Sequence, residues 1–139
     1  MNFKAAFCHP YQRDIIELGE ISQTNIITAF ENIPWKDYLQ QMEETKNEGQ
    51  DIYYSPSFEI INTNTLHKLA ISAVGPADNY EFYVFYRRPK TLKFLFGLIT
   101  YKKDKYTTDI QGQTKTRVIR LLEAFRNNNT SYLADQIGP

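Results

Sequence analysis

The sequence predicts a single α+β domain spanning residues 1–139, with an antiparallel sheet of three to five strands that runs as a meander between N-terminal helices and a C-terminal helix. Three observations lead to this prediction. An apolar stripe with helical spacing ends near residue 46, the apolar period then changes to two, and a second helical stripe follows Gly112. Runs of helix on either side of a run of strands are typical of α+β domains with antiparallel sheets.

Two helices are predicted near the N-terminus. Ser22 or Thr24 can cap the first helix. Its apolar residues recur at helical spacing: Ile26, Ile27, Phe30 and Ile33. Pro34 suits the first turn of the second helix, which is expected to end near Lys46, because its missing N–H breaks no hydrogen bond there. The second apolar stripe consists of Trp35, Tyr38, Leu39 and Met42. Before residue 21 the pattern stays open, since FKAAFC fits a strand or a flexible arm and DIIELGEI fits a strand or a helical turn.

The strands are predicted from alternation. SFEII, HKLAISAV and YEFYVFYR alternate with period two, and NTNT and GPADN between them have the composition and length of hairpin turns. Pro89 is expected to end the third strand, and LKFLFGLITY after it is apolar with a mixed pattern. YKKDKY is interpreted as a polar hairpin turn, and KYTTDI as the returning strand. The C-terminal helix is predicted over TKTRVIRLLEAFRNNN, and SYLADQI as a last helical turn. Their inward residues are Val118, Leu121, Leu122, Phe125, Leu133 and Ile137.

The stretch YEFYVFYRRPK, residues 80–90, carries aromatic residues on both faces of one strand. The uniformly apolar face is expected to pack on the helices; it consists of Tyr80, Phe82, Val84 and Tyr86. The mixed face consists of Glu81, Tyr83, Phe85 and Arg87. Two explanations of the mixed face stay open. Helices cover the sheet on both sides, or this face is a surface for a partner.

Charge is distributed unevenly along the chain. Residues 1–86 hold 5 Lys/Arg and 12 Asp/Glu, a sum of −7, and residues 87–120 hold 10 and 2, a sum of +8. Residues 121–139 sum to −1, so the formal net charge is zero. Either acidic and basic elements lie side by side in the fold and neutralise each other, or the basic segment forms a face for an acidic partner.

Few residues suggest chemistry. Cys8 is the single cysteine, so no internal disulfide forms, which favours a reducing compartment. Cys8 and His9 are adjacent on a strand and point to opposite faces, so they do not form a dyad. Cys8 is expected to be a small buried hydrophobe and His67 an exposed residue at a strand end. The sequence has no phosphate-binding loop motif and too few histidines and cysteines for a zinc site. No catalytic residue, cofactor or metal is expected.

No apolar run approaches the ~20 residues that span a bilayer, and the apolar part of MNFKAAFCHPY is shorter than the ~7–15 residues of a signal-peptide core. A cytoplasmic protein that does not associate with membranes is therefore expected.

The function favoured by these observations is that of a small, non-enzymatic protein-binding or regulatory domain, because Tyr, Phe and Arg are residues that interfaces use. The candidate binding surface consists of Glu81, Tyr83, Phe85, Arg87, Arg88, Lys90 and Lys93. An acidic protein is the expected partner, and a homodimer is a further possibility. The alternative is an enzyme or small-ligand binder with a pocket between sheet and helices, formed by Trp35, Glu81, Tyr83 and Arg87. Nucleic-acid binding is not favoured, because the chain has no basic excess.

Overall fold

One antiparallel sheet of six strands carries the helices on a single face. The computed structural model describes residues 2–139. The strands are β1 Phe3–Cys8, β2 Ile16–Ile21, β3 Ser57–Asn62, β4 Lys68–Val74, β5 Glu81–Phe94 and β6 Ile99–Gln113. The helices are α1 Ile26–Glu31, preceded by a 3-10 turn at Gln23–Asn25, then α2 Trp35–Thr45, α3 Lys115–Arg126 and α4 Thr130–Ile137. Among residues 2–139, no helix has the length and apolarity needed to cross a bilayer.

The strand order is β2-β1-β3-β4-β5-β6, so the predicted count of three to five strands was too low. The meander from β3 onward agrees with the prediction, but a hairpin of β1 and β2 extends the sheet beyond β3. β1 pairs with β3 from Phe3 opposite Asn62 to Cys8 opposite Ser57. The two N-terminal helices therefore follow two strands. Alternation in FKAAFC is too short to be decisive, and one of its two partner strands, β3, lies far along the chain.

The third strand does not end at Pro89, because β5 continues to Phe94 with only a shift in register between Arg88 and Lys90. The turn between β5 and β6 lies at residues 95–98 rather than at YKKDKY, which is part of β6. Phe94 pairs with Ile99, and Leu95, Phe96 and Gly97 have positive φ angles of 51°, 56° and 85°. β6 is an edge strand, and lysines are common on exposed edges because they hinder pairing with other chains. The polar run thus indicates exposure of a strand and not a turn.

The face of β5 that was predicted to meet the helices does so. Phe82, Val84 and Tyr86 are buried, and Tyr80 packs edge-on against Phe82 at its margin. The helices contribute the opposite half of the same core: Ile26, Phe30, Trp35, Leu39, Val118, Leu121, Leu122, Phe125, Leu133 and Ile137 are buried, with Tyr38 and Met42 half-buried beside them. The apolar stripes predicted for the helices are confirmed.

Trp35 connects the two N-terminal helices to the sheet. Its Nε1–H donates a hydrogen bond of 3.1 Å to the carbonyl of Phe30 at the end of α1. Its ring lies 5.4 Å from the ring centre of Phe30 and 5.3 Å from that of Phe82 on β5. A buried indole whose N–H is satisfied combines a large apolar area with a fixed orientation. Trp35 therefore sets how α1 and α2 sit on the sheet.

The apolar stripe of α2 can be tested at Leu39, which is 4% exposed. Leu39→Ala is expected to lower the free energy of unfolding by about 2–5 kcal/mol, since it removes a buried side chain and leaves a cavity. Urea unfolding followed through the fluorescence of Trp35, the single tryptophan, measures the change. Leu18→Ala is the control, because Leu18 is 51% exposed and should change stability by about 0.5 kcal/mol or less. Equal losses in both variants would contradict the packing of α2.

Candidate binding surfaces

The sheet face opposite the helices, here called the open face, has no described helix packed on it. Four of the predicted site residues lie there along β5, because alternate residues of a strand share a face. Glu81 is exposed, Tyr83 and Arg87 are half-buried, and Phe85 is 37% exposed. Of the two explanations for the mixed face, the structure thus excludes a second helix layer within residues 2–139.

Small side chains occupy the middle of the open face. Tyr83 pairs across the sheet with Ser72, and Phe85 pairs with Ala70 on β4. Further along the same rows stand Ser57, Glu59, Ala6 and Cys8. The two aromatic rings of β5 therefore stand beside the smaller side chains of Ala70 and Ser72.

A cavity of about 190 Å³ lies at one end of the open face. Its lining combines charged and apolar side chains: Lys4, Ala6, Ile15, Glu17, Glu59, Ile61, Lys68 and Arg87. Glu59 and Lys68 form an ion pair there, and their side chains are only 13% and 23% exposed. Arg87 lies directly opposite Lys68 in the sheet and forms no ion pair with any residue of the described chain. Arg87 and Lys4 are therefore the cations of this cavity that form no ion pair with another described residue.

Cys8 lies on the open face and is buried. Its thiol is 3.5 Å from a carboxylate oxygen of Glu59, whereas the adjacent His9 ring contacts Phe7 and Tyr38 on the other side of the sheet. Burial, together with the negative charge of Glu59, raises the pKa of the Cys8 thiol to about 12. Such a thiol carries almost no thiolate near neutral pH, and only the thiolate is a good nucleophile.

Arg88, predicted as part of the binding surface, is 6% exposed. Its guanidinium donates hydrogen bonds to the carbonyl of Tyr86 (2.9 Å), the hydroxyl of Thr108 (2.7 Å) and the carbonyl of Gly138 (2.8 Å). It also lies over the rings of Tyr86 and Tyr106, at 4.1 and 4.9 Å from their centres. Burial lowers the pKa of Arg88 from its usual value. Arg88 thus holds the C-terminus against the sheet and does not belong to an open surface.

Beyond Arg88 the two long strands leave the sheet as a separate hairpin, here called the arm, residues 90–103. β4 pairs with β5 only as far as Arg87, so the arm is held by β5–β6 pairing alone. Lys90 and Lys93, the remaining predicted site residues, lie on this arm. Lys90 lies 4.6 Å from the ring centre of Tyr106, at the base. The predicted cluster of four cations is therefore divided between the open face, the buried C-terminal contact and the arm.

The arm ends in a group of exposed apolar side chains that belong to none of the sites predicted from the sequence. These side chains, here called the tip, are Phe94, Leu95, Phe96, Leu98, Ile99 and Tyr101. Phe96 is fully exposed, and the rings of Phe94 and Tyr101 stack at 5.4 Å. The signal in the sequence was an apolar run around Gly97 with lysines on both sides, which is unusual for a core strand.

The residues of the predicted alternative pocket are not brought together. Glu81 and Arg87 are six residues apart on one strand, so roughly 20 Å separates them along β5. Trp35 lies on the other face of the sheet, inside the core. The space between sheet and helices around it is filled by aromatic side chains.

His67 differs from its expected role as an exposed strand end. It is half-buried just before β4, and its Nδ1 lies 2.8 Å from the hydroxyl of Tyr86. Burial, with a smaller contribution from the positive charge of Arg88, lowers the pKa of His67 below its usual value of 6.5. The neutral imidazole is therefore the form that the folded chain stabilises.

The burial of Cys8 predicts poor reactivity. Iodoacetamide should modify the folded chain at least about a hundredfold more slowly than the chain in urea, because the thiol is buried and its pKa is raised. Mass spectrometry over time measures the rate, and the single cysteine makes the site unambiguous. Similar rates in the folded and unfolded chains would show that the thiol is accessible.

The lowered pKa of His67 predicts a loss of stability in acid. Below about pH 6.5 the unfolded chain binds a proton that the folded chain resists, so stability falls as the pH falls through that value. Urea unfolding at about pH 7.5 and about pH 5.5 should therefore show a smaller drop for His67→Gln than for the unmodified chain. An identical drop in both chains would rule out this histidine as the cause.

Comparison of the chain with protein-family models, with curated proteins and with solved structures found no match. Within residues 2–139, no three side chains of His, Cys, Asp and Glu come together in a way that could hold a metal ion. The roles of the residues on the open face and the arm therefore rest on their geometry.

Proposed function

We propose that the chain is a small, non-enzymatic protein-binding domain whose partner docks on the open face of the sheet. The observation that carries this proposal is the exposed ring of Phe85 on a sheet face that no described helix covers. Tyr83 and Arg87 stand on either side of Phe85 along β5. Aromatic and arginine side chains in partly desolvated positions are the residues that most often dominate binding energy at protein interfaces.

The row of small residues beside Tyr83 and Phe85 supports docking of a protruding segment. Ala70 and Ser72 pair directly with the two aromatic residues. Because these two side chains are small, a side chain from a partner can lie over them and against the rings of Tyr83 and Phe85. Such a contact buries apolar area on both rings, and burial of apolar surface is the main source of binding free energy.

Arg87 specifies a carboxylate on the partner. It faces Lys68 across the sheet, and the ammonium of Lys68 is already neutralised by Glu59. A guanidinium without an ion pair, at the edge of an apolar contact, favours a carboxylate through two parallel hydrogen bonds. An acidic partner protein is therefore proposed, with a second copy of the chain as the simplest alternative, since two-fold dimers are the commonest assemblies.

A second candidate function is the binding of a small anionic ligand in the cavity beside Arg87. The lining combines the cations Lys4, Lys68 and Arg87 with the apolar side chains of Ile15 and Ile61, and the cations outnumber the two acids of the lining, Glu17 and Glu59, by one. A carboxylate attached to a short apolar group matches that combination. This location is the open face, and not the space between sheet and helices that was first expected for a ligand.

The double variant Phe85→Ser with Arg87→Ala tests the protein-binding proposal. It should weaken partner association by about tenfold or more, since it removes the two predicted anchors. Melting temperature should change little, because Phe85 is 37% exposed and Arg87 is half-buried. Light scattering detects self-association, and capture from native lysate followed by mass spectrometry detects a different partner.

Tyr53→Ser with Arg13→Ala is the matched control. It removes an exposed aromatic and an exposed arginine from elsewhere on the surface. The proposal requires that a protein be retained by the unmodified chain and by this control, and lost by the double variant. Retention by all three chains, or a large loss of melting temperature in the double variant without any loss of a partner, would reject the open face as an interface.

A further inference from the structure

The arm concentrates exposed apolar side chains to a degree that the rest of the described chain does not. Twelve large hydrophobic side chains are exposed among the described residues, and the tip holds six of them. Phe96 is fully exposed, and Leu98 is 84% exposed. Scattered exposed apolar residues need no explanation, but a contiguous group of this kind marks an interaction site.

Positive charge surrounds the base of the tip. Residues 90–103 contain the four cations Lys90, Lys93, Lys102 and Lys103 and no Asp or Glu, a sum of +4. Lys90 and Lys103 form one cross-strand pair, whereas Lys93 and Lys102 occupy alternate positions and point to the other face of the arm. The cations therefore lie on both faces of the hairpin, behind an apolar end.

The order along the arm matches the layers of a lipid surface. Phe94 pairs with Ile99 at the tip, Lys93 stands one residue behind this pair, and Lys90 with Lys103 stands four residues behind it. At about 3.3 Å per residue, the lysines lie roughly 3–13 Å behind the pair of Phe94 and Ile99. Apolar groups of membrane-surface proteins reach about 5–10 Å into the boundary between headgroups and acyl chains, where lysines can extend back to anionic headgroups.

Two backbone hydrogen bonds close the turn of the arm. The N–H of Gly97 donates to the carbonyl of Phe94, and the N–H of Leu98 donates to that of Leu95, both at 3.1 Å. These bonds lower the cost of moving the turn away from water. Tyr101, whose ring stacks on Phe94, presents an apolar body and a polar hydroxyl, a combination that favours the membrane–water boundary.

We propose that the arm docks the protein on a membrane surface that contains anionic lipid, with the tip inserted among the headgroups and upper acyl chains. A flat anionic surface can contact cations on both faces of the arm at once, whereas a protein groove would engage one face more than the other. This contact needs no spanning segment. It departs from the expectation of no membrane association, which followed from the lack of a spanning segment and of a signal-peptide core. It does not depend on the function proposed for the open face.

Sedimentation of the full chain with vesicles tests this proposal. Vesicles of phosphatidylcholine with a third of phosphatidylserine should bind the protein, phosphatidylcholine vesicles should bind it much less, and added salt should weaken the anionic case. Phe96→Ser with Leu98→Ser should reduce the partition onto anionic vesicles by about tenfold or more, because two apolar side chains no longer insert. Lys93→Glu with Lys102→Glu should abolish the preference for anionic vesicles.

Leu18→Ser with Leu66→Ser is the matched control, since both leucines are exposed elsewhere and should leave vesicle binding unchanged. Melting curves establish that each variant is folded. A Phe96→Trp variant supplies a direct readout, because emission from a tip tryptophan should shift to the blue only with anionic vesicles.

Three outcomes would overturn the proposal. The unmodified chain fails to bind anionic vesicles at low salt, or the tip variant binds them as well as the unmodified chain does, or light scattering shows that the tip variant loses a protein assembly and not vesicle binding. The last outcome would identify the arm as a protein interface.

Discussion

The packing of Trp35 between Phe30 and Phe82 is the contact on which the rest of the structure depends. It joins the end of α1, the start of α2 and the middle of the sheet, with the indole N–H satisfied by the carbonyl of Phe30. Phe7 on β1 also meets this ring, at 6.4 Å. Because Trp35 is 2% exposed and contacts three elements, it commits the helices to one face of the sheet. The other face is consequently left for other roles.

The composition of the open face follows from that commitment. A sheet face that meets water must avoid a large apolar area, and here small residues fill the middle while Glu59 and Lys68 form an ion pair at the cavity. Both side chains of the ion pair are largely shielded from water. Loss of either one would leave the other charge shielded and unpaired, which is destabilising. Phe85 and Arg87 do not follow this pattern. The ring of Phe85 is 37% exposed, and Arg87 forms no ion pair with another described residue. This mismatch supports a docking role for the open face.

The two halves of β5 differ in how many strands they pair with. Its first half is a central strand between β4 and β6, whereas its second half pairs with β6 alone and forms the arm. Arg88 stands at the boundary, where it bonds the C-terminal segment through Gly138. Tyr106 beside it donates a hydrogen bond to the carbonyl of Pro139. Gly138 and Pro139 thus form hydrogen bonds with residues at the base of the arm.

The sequence by itself determined the elements whose evidence is local: the stripe of α2, the apolar face of β5 and the C-terminal helices all follow from the spacing of apolar residues. Tertiary structure decided what depends on distant partners. Whether FKAAFC is a strand depends on pairing with β3, and the turn of the long hairpin depends on the register between β5 and β6. The same holds for the candidate sites. Alternation placed Glu81, Tyr83, Phe85 and Arg87 on one face, but only the fold buried Arg88 under the C-terminus and left the apolar tip exposed, because burial is a property of neighbours that spacing does not contain.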